Sequence, residues 1–257
     1  MQTKNHKAKK SLGQNFLKSE LALKKIVEAG EIKSDDIILE IGPGKGALTS
    51  KLLEKSKLII AVEKDRELFE FLKTKFEKEI KIGTLILVCE DILKYNISHK
   101  NYKIIANIPY NITGAILKKF LTEKQQPESM VLMVQHEVAK RIVARDKKES
   151  ILSISVKAYG EPKIIMKVPA RYFSPAPKVD SAVIAIKNIS RKVFNVEKIN
   201  EEKFWEIVKA GFAHKRKKLS SNLKDICQRD TLTSLGKKRA EDLSLEDWIK
   251  LVSLTSK

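Results

Sequence analysis

The chain runs to 257 residues, 42% of them hydrophobic, which is enough for one sizeable α/β domain with a smaller appendage. Lysine and arginine total 51 against 32 acidic residues, and the formal net charge of +19 points to a polyanionic partner. A membrane surface would attract the same charge, but the longest apolar runs are strand-sized and fall short of the ~20 residues that span a bilayer.

Met1 to Lys10 carries four lysines, with no apolar stretch that could serve a secretory signal and none of the arginine-rich amphipathic character of a transit peptide. It reads as the start of a cytoplasmic protein, and its basic tail, Lys4 to Lys10, as a short disordered extension. From Ile37 to Val134 short apolar runs alternate with helix-length amphipathic segments, the pattern of parallel strands joined by covering helices. The expected strands are Ile37 to Ile41, Leu58 to Val62, Leu85 to Val88, Lys103 to Ala106 and Met130 to Val134. Between the second and third, Leu68, Leu72 and Phe76 recur among charged residues and predict a surface helix over Arg66 to Glu79. Beyond Ser150 a helix to Tyr159 precedes two further strands, Lys163 to Val168 and Val179 to Lys187. They are joined by the proline-punctuated loop Pro169 to Pro177 and are expected to make an antiparallel edge. The remainder is helical in composition, with Phe204, Trp205, Trp248 and Leu251 as its expected core. Cys89 and Cys227 have neither metal-site nor redox-pair spacing and are expected to pack as ordinary thiols.

The run Ile38-Leu39-Glu40-Ile41-Gly42-Pro43-Gly44-Lys45-Gly46-Ala47 sets glycines directly after the first of these strands and before a helix beginning near Ala47. Glycine permits a tight turn and lets a ligand reach bare backbone, while the helix N-terminus offers free N–H groups to an anionic group. Gly42, Gly44 and Ala47 also satisfy the dinucleotide pattern, with Glu63 standing 21 positions after Gly42 at the end of the second strand. A carboxylate there accepts hydrogen bonds from the ribose of any adenosine-containing cofactor. The loop therefore argues for a nucleoside without choosing a reaction, and a nicotinamide enzyme stands as a rival. A plain connecting turn with a solvated Glu63 is the bland alternative.

The end of the fourth strand decides the chemistry. Asn107-Ile108-Pro109-Tyr110 is followed by Asn111-Ile112-Thr113. The exocyclic amine of adenine is a poor nucleophile, because its lone pair is delocalised into the ring. An asparagine oxygen and a backbone carbonyl beside proline can each accept one N6–H bond and favour a tetrahedral nitrogen aimed at a methyl sulfonium. Tyr110 can stack on the base, and Phe173 is the candidate for its opposite face. Such a site needs neither a strong base nor a metal, because the sulfonium already carries an activated methyl group. Its target must be single-stranded or flipped out. Read alone, Asn107 to Tyr110 could equally be a strand-ending turn with a packed tyrosine.

These segments together resemble the ribosomal RNA adenine N6-dimethyltransferase family, small-subunit (16S) branch, over nearly the whole chain. The resemblance is carried by Lys10-Ser11-Leu12-Gly13-Gln14-Asn15-Phe16-Leu17, Glu40 to Gly46, Val62-Glu63-Lys64-Asp65, Glu90-Asp91, Asn107 to Thr113 and Phe173-Ser174-Pro175-Ala176-Pro177-Lys178-Val179-Asp180-Ser181-Ala182-Val183. It implies an α/β, Rossmann-like, seven-strand S-adenosylmethionine-dependent methyltransferase domain over residues 1–190 and a small all-helical RNA-contacting domain over 191–257. By the same matching Asn15 and Leu17 close over the cofactor, while Gly42, with Gly44 in the same loop, faces its methionine end. Glu63 holds the ribose, Asp91 receives the adenine amine, and Asn107 sits between cofactor and target base. Asp91 could instead simply cap the turn before Leu93. Thr113-Gly114 departs from the serine-threonine pair of many relatives and leaves the packing behind Tyr110 open.

The expected catalytic set is Asn107, Pro109, Tyr110 and Phe173, with S-adenosylmethionine as cofactor and no metal. The expected partners are small-subunit rRNA and the pre-assembled small subunit, with no membrane, and the protein is expected to be a monomer. The macrolide-resistance branch, which modifies a large-subunit (23S) adenosine, shares the site motifs. Phe212-Ala213-His214-Lys215-Arg216-Lys217-Lys218-Leu219 leans toward the small-subunit branch, whose first C-terminal helices it resembles. Lys215, Arg216, Lys217 and Lys218 would supply salt-sensitive phosphate contacts, if they are not merely a solvated face. His136 and Glu137 are expected to cap the helix after the fifth strand, and His214 receives no catalytic role. A nonenzymatic assembly factor is a further reading of the same charge.

Overall fold

Leucine-rich and β-branched runs too short for helices become the centre of a parallel sheet. The computed structural model describes residues 8, 9, 12–227 and 229–255, so the basic tail apart from Ala8 and Lys9 lies outside the described residues, as do Lys10 and Ser11. Its elements in chain order are β1 (Phe16–Leu17), α1 (Glu20–Ala29), β2 (Ile37–Ile41), α2 (Ala47–Leu53), β3 (Leu58–Glu63), α3 (Arg66–Lys75), α4 (Glu77–Lys81), β4 (Leu85–Cys89), β5 (Tyr102–Asn107), α5 (Thr113–Thr122), β6 (Ser129–Gln135) and α6 (His136–Val143). They continue with α7 (Ile151–Lys157), β7 (Glu161–Val168), β8 (Phe173–Ser174), β9 (Ser181–Lys187), α8 (Lys192–Val196), α9 (Glu201–Gly211), α10 (Leu219–Asn222) and α11 (Leu245–Thr255). Short 3-10 turns link several of them.

All seven long strands anticipated from the sequence are present, within two residues at each end, and form one sheet ordered β4-β3-β2-β5-β6-β9-β7. β4, β3, β2, β5 and β6 pair in parallel, whereas β9 runs antiparallel to β6, and β7 lies beside β9 at the edge of the sheet. The sheet thus departs from the six-parallel-strand order of the dinucleotide fold. The order reverses at β2, between β3 and β5, where open α/β sheets leave a crevice beyond the strand C-termini.

The helix expected over Arg66 to Glu79 is broken at Phe76, whose backbone (φ −111°, ψ 30°) separates α3 from α4. The Phe76 ring lies against the glycine loop, where a Cβ on Gly46 would come within 2.5 Å of it. β1 and β8 form a separate two-stranded antiparallel pair, Phe16 opposite Ser174 and Leu17 opposite Phe173. Within the stretch expected as a loop, that short strand is the difference.

The chain divides into two compact units, one reaching Ala139 and resuming over Lys163–Lys187, the other made of Lys140–Pro162 and Asn188–Lys257. Residues 140–162, including α7, therefore group with the later helices rather than with the uninterrupted first domain expected from the sequence. The reason is local: Tyr159 donates its hydroxyl to Glu201, accepts from Trp205 Nε1 at 3.0 Å and packs on Phe194. Phe204, Trp248 and Leu251 are fully buried in this unit, and Trp205 is half-buried. Cys227 is buried, but Cys89 ends the edge strand β4 exposed and is not a packing residue.

Candidate active site

A cavity of about 480 Å³ opens at the point where the strand order reverses. Its lining comes from four strand ends, the end of β2 and the loop after it (Glu40 to Lys45, with Ala47 and Leu48), Val62 to Lys64, Glu90 to Leu93 and Asn107 to Ile112, and from Leu12 to Lys18 with Ser174. The volume falls in the ~300–1,000 Å³ range of small-molecule sites.

The glycine loop is shaped by backbone angles only glycine adopts readily: φ is +63° at Gly42, +60° at Gly44 and +73° at Gly46. A Cβ at Gly42 would meet nothing within 4 Å, so its bare backbone faces the cavity, whereas at Gly44 a Cβ would lie 3.1 Å from the Phe16 ring that crosses above it. Glu63 holds this loop, accepting from Gly44 N–H at 3.1 Å and Asp65 N–H at 2.8 Å. Burial raises its pKa, and those N–H bonds oppose the rise. A carboxylate has further lone pairs, so Glu63 can also receive ribose hydroxyls. Beneath it Glu40 is buried, and burial pushes its carboxyl up to about 8, with its contact to Thr49 resisting and the Glu63 charge adding to the shift. Sequence reasoning assigned Glu40 no role; only its place at the end of a buried strand marked it.

Asp91 lines the cavity, but its carboxylate is shared. Oδ2 pairs with Lys64 at 2.9 Å and Oδ1 accepts from Leu93 N–H at 3.0 Å, which together hold its pKa below the usual carboxylate range. The turn-capping geometry and the cavity position coexist.

Across the cavity, Asn107 Nδ2 donates to the carbonyl of Asn15 at 3.2 Å. A carbonyl can only accept, so the amide nitrogen must face Asn15 and Oδ1 is left without a protein donor among the described residues. Asn15 itself is folded by its side chain donating to Gly13 carbonyl at 3.1 Å. Pro109, extended at φ −62° and ψ 132°, starts the turn carrying Tyr110, and its carbonyl accepts from Ile112 N–H at 3.3 Å. The carbonyl beside proline that stays open is that of Ile108, a residue the sequence patterns did not single out, though its place before proline was the signal. Tyr110 lines the cavity, its hydroxyl 2.5 Å from Ser181 Oγ, and burial raises its pKa. Thr113 Oγ1 donates to the Tyr110 carbonyl at 3.1 Å, which settles the packing the Thr113-Gly114 departure left open.

The N-terminal segment closes the site from above. Leu17 is buried and lines the cavity. Lys9 Nζ bridges Asp65 at 2.9 Å and Glu67 at 3.0 Å, and Gln14 Nε2 donates to Asp65 at 2.8 Å. Phe173 is not brought to the cavity: it is 2% exposed, pairs with Leu17 and belongs to the hydrophobic core, so its ring has no free face for a base. Its neighbour Ser174 lines the cavity instead. In the second unit Lys215, Arg216, Lys217 and Lys218 are all exposed, on a turn between α9 and α10 rather than on a helix. Lys218 is the N-cap of α10, and His214 is exposed on the same turn. His136 and Glu137, expected to cap the helix after the fifth strand, lie within it: α6 begins at His136, with Glu137 in its first turn. Among the described residues no cluster of three or more His, Cys, Asp or Glu could hold a metal, and no helix is long and apolar enough to cross a membrane.

The family model for ribosomal RNA adenine dimethylases matches residues 5–257. The chain belongs to the ribosomal RNA adenine dimethylase family. A family relative from Dehalococcoides mccartyi (strain CBDB1), "Ribosomal RNA small subunit methyltransferase A", is 40% identical over 95% of this chain and 87% of that protein. The crystal structure of a dimethyladenosine transferase from Plasmodium falciparum superposes with a TM-score of 0.80 at 27% identity, covering 92% of this chain and 95% of that one. The 23S rRNA methyltransferase ErmE shares the fold, with a TM-score of 0.77 at 24% identity over 95% of this chain and all of that one. This adenine dimethylase is therefore an rRNA-modifying methyltransferase, and the nicotinamide reading of its glycine loop falls away.

Proposed function

We propose that the protein transfers methyl groups from S-adenosylmethionine to N6 of two adjacent adenosines near the 3′ end of small-subunit rRNA, giving N6,N6-dimethyladenosines during maturation of the cytoplasmic small subunit. The observation that carries this reading is the orientation of Asn107: its amide nitrogen is occupied by Asn15, and its oxygen is left to accept. The small-subunit assignment follows the relatives at about 40% identity, which are named for that subunit.

The residues fit the cofactor. Gly42 leaves open space where its Cβ would stand, Glu63 offers an acceptor for ribose, and Asp91 an acceptor for an adenine amine. When bound, S-adenosylmethionine supplies an activated methyl group on a sulfonium. Asn107 Oδ1 and the Ile108 carbonyl, fixed by Pro109, accept both N6–H bonds before the first transfer and share the single N6–H left before the second, turning the nitrogen lone pair out of conjugation. Tyr110 presents its ring to the flipped-out base. Asn15 and Leu17 cover the cofactor and exclude water. Lys215 to Lys218 take phosphates of the RNA, and a single protein molecule suffices.

The test incubates the purified protein with labelled S-adenosylmethionine and either unmethylated small-subunit particles or unmethylated large-subunit RNA, then digests the RNA to nucleosides. Dimethyladenosine from the small-subunit sample alone supports the proposal. Label from the large-subunit RNA alone overturns its target, and label in neither overturns the activity.

A further inference from the structure

Tyr110 is anchored at its far end by a residue outside its own turn. Its hydroxyl lies 2.5 Å from Ser181 Oγ, and the two come from different elements: the three-residue turn after β5 and the first residue of β9. Ser181 is fully buried and pairs with Gln135 at the end of the β6–β9 ladder. One step further, His136 N–H donates to the Asp180 carbonyl at 3.0 Å. The Asp180 carboxylate in turn accepts from Ala170 N–H at 3.0 Å and pairs with Lys167 at 2.8 Å. Ser181 therefore stands on backbone held from several sides, while Tyr110 sits on a short turn held locally by Thr113 N–H and Oγ1 on the Tyr110 carbonyl and by Ile112 N–H on the Pro109 carbonyl, none of which reaches the ring. A stacking platform works at one tilt, and a tyrosine ring has two torsions to lose. An anchor at the hydroxyl, set on a rigid strand, fixes both.

We propose that Ser181 is a positioning residue for methyl transfer: it holds the Tyr110 hydroxyl so that the ring offers a fixed face to the target adenine, and it acts on the reaction through Tyr110. This rests on the stacking role proposed for Tyr110. The contact is more than the satisfaction of a buried hydroxyl, because it ties the target-base turn to the sheet at the one point where β9 begins.

The experiment compares wild type, Ser181→Ala, Tyr110→Phe and the double variant as full chains, with unmethylated small-subunit particles and labelled S-adenosylmethionine. Each single change is expected to lower kcat roughly ten-fold, with KM for the particle and calorimetric S-adenosylmethionine affinity changed less than about two-fold. The double variant should be no slower than the slower single one, since both changes remove the same hydrogen bond. Multiplicative losses in the double variant, or a Ser181→Ala rate within about two-fold of wild type, overturn the proposal. A second readout needs no activity: with ¹³C-labelled tyrosine rings, the Tyr110 signal, assigned by its loss in Tyr110→Phe, should broaden in Ser181→Ala while the other tyrosines stay unchanged. If wild type methylates no RNA, the parent reading fails. The role of Ser181 in methyl transfer is then overturned with it, and the Tyr110 signal reads only whether Ser181 holds the ring. Should Ser181→Ala fail to fold, Tyr110→Phe breaks the same hydrogen bond from the cavity side, and a kcat within about two-fold of wild type there overturns the proposal.

Discussion

The rim made by residues 42–46 and the rim made by residues 107–110 face one cavity by opposite means. The first is a shape. Its three glycines hold positive φ, and its fit depends on what a side chain would strike: nothing at Gly42, the Phe16 ring at Gly44, the Phe76 ring at Gly46. The second is an arrangement of acceptors, in which Asn107 is oriented by one carbonyl and proline fixes the next turn. A rim of shape fails through sterics and takes stability with it. A rim of acceptors fails through chemistry and leaves the fold standing.

The largest break in that comparison is Asn107→Ala. It removes the oriented acceptor from a half-buried site that packs little else, so methyl transfer should fall by about 10²-fold or more while the urea midpoint stays near that of wild type. A comparable loss of stability would mean that Asn107 belongs to the scaffold. Next comes Gly46→Ala, where left-handed backbone and a 2.5 Å approach to Phe76 combine. It should cost about 2–3 kcal/mol of unfolding free energy. Gly42→Ala, strained in φ but clear of neighbours, should cost about 1 kcal/mol and act mainly by placing a methyl in the cavity and weakening cofactor affinity. Equal stabilities for the two variants would sink the steric account.

Glu40 sharpens the shape rim through pH. Its carboxyl is raised from 4.5 to about 8 by burial, so the folded protein holds a proton that the unfolded chain has released between those values. Stability from this group is therefore full below about pH 4.5, falls as pH rises toward 8, and levels above it. Glu40→Gln mimics the protonated form, so it should match wild type at low pH and gain on the order of 5 kcal/mol over it by pH 8.5. Urea midpoints taken across that range check the sign. A difference that stays constant with pH would show Glu40 charged throughout.

The sequence made the five parallel strands legible because each is a short apolar run bounded by turn residues; β2, β3, β5 and β6 are buried on both faces, and the edge strand β4, though partly exposed, keeps the same apolar length. Both rims were legible too, since glycine spacing and Asn107 to Tyr110 are local patterns. What was hidden depends on distant partners. Phe173 looked like a free aromatic beside prolines, but β8 pairs with β1 and commits its ring to the core. The helix at Phe76 breaks where the ring meets Gly46, thirty residues back in the chain. Tyr159 joins α7 to the later helices through Glu201 and Trp205, contacts no periodicity could reveal. Lys9 and Gln14 carried no sign that both end on Asp65.

The basic turn of the second unit offers a chemistry unlike either rim. Lys215 to Lys218 are exposed and have no acidic partner among the described residues. Replacing all four by glutamine should weaken RNA binding roughly ten-fold or more and reduce the slope of log affinity against log salt by about 0.7–0.9 for each phosphate no longer neutralised. Cofactor affinity should not move. A slope equal to that of wild type would make the turn a solvated face.

The smallest expected effect lies where the N-terminal segment meets the shape rim. Lys9 Nζ and Gln14 Nε2 both reach the Asp65 carboxylate, Asp65 N–H donates to Glu63, and Glu63 accepts from Gly44. The covering segment is thus tied to the glycine loop by one chain of charge-assisted bonds. Burial alone would raise the Asp65 pKa, yet Lys9 and Gln14 bring it below its usual value. Lys9 is partly exposed, so its share is modest. Lys9→Ala should raise the cofactor dissociation rate roughly two- to five-fold at low salt, an advantage of wild type that fades as salt approaches about 1 M. Stopped-flow release of cofactor across a salt series reads it directly. A salt-independent change would place the hold in the Gln14 bond and the β1–β8 pair rather than in the lysine, and the tie to Glu63 would then be carried without charge.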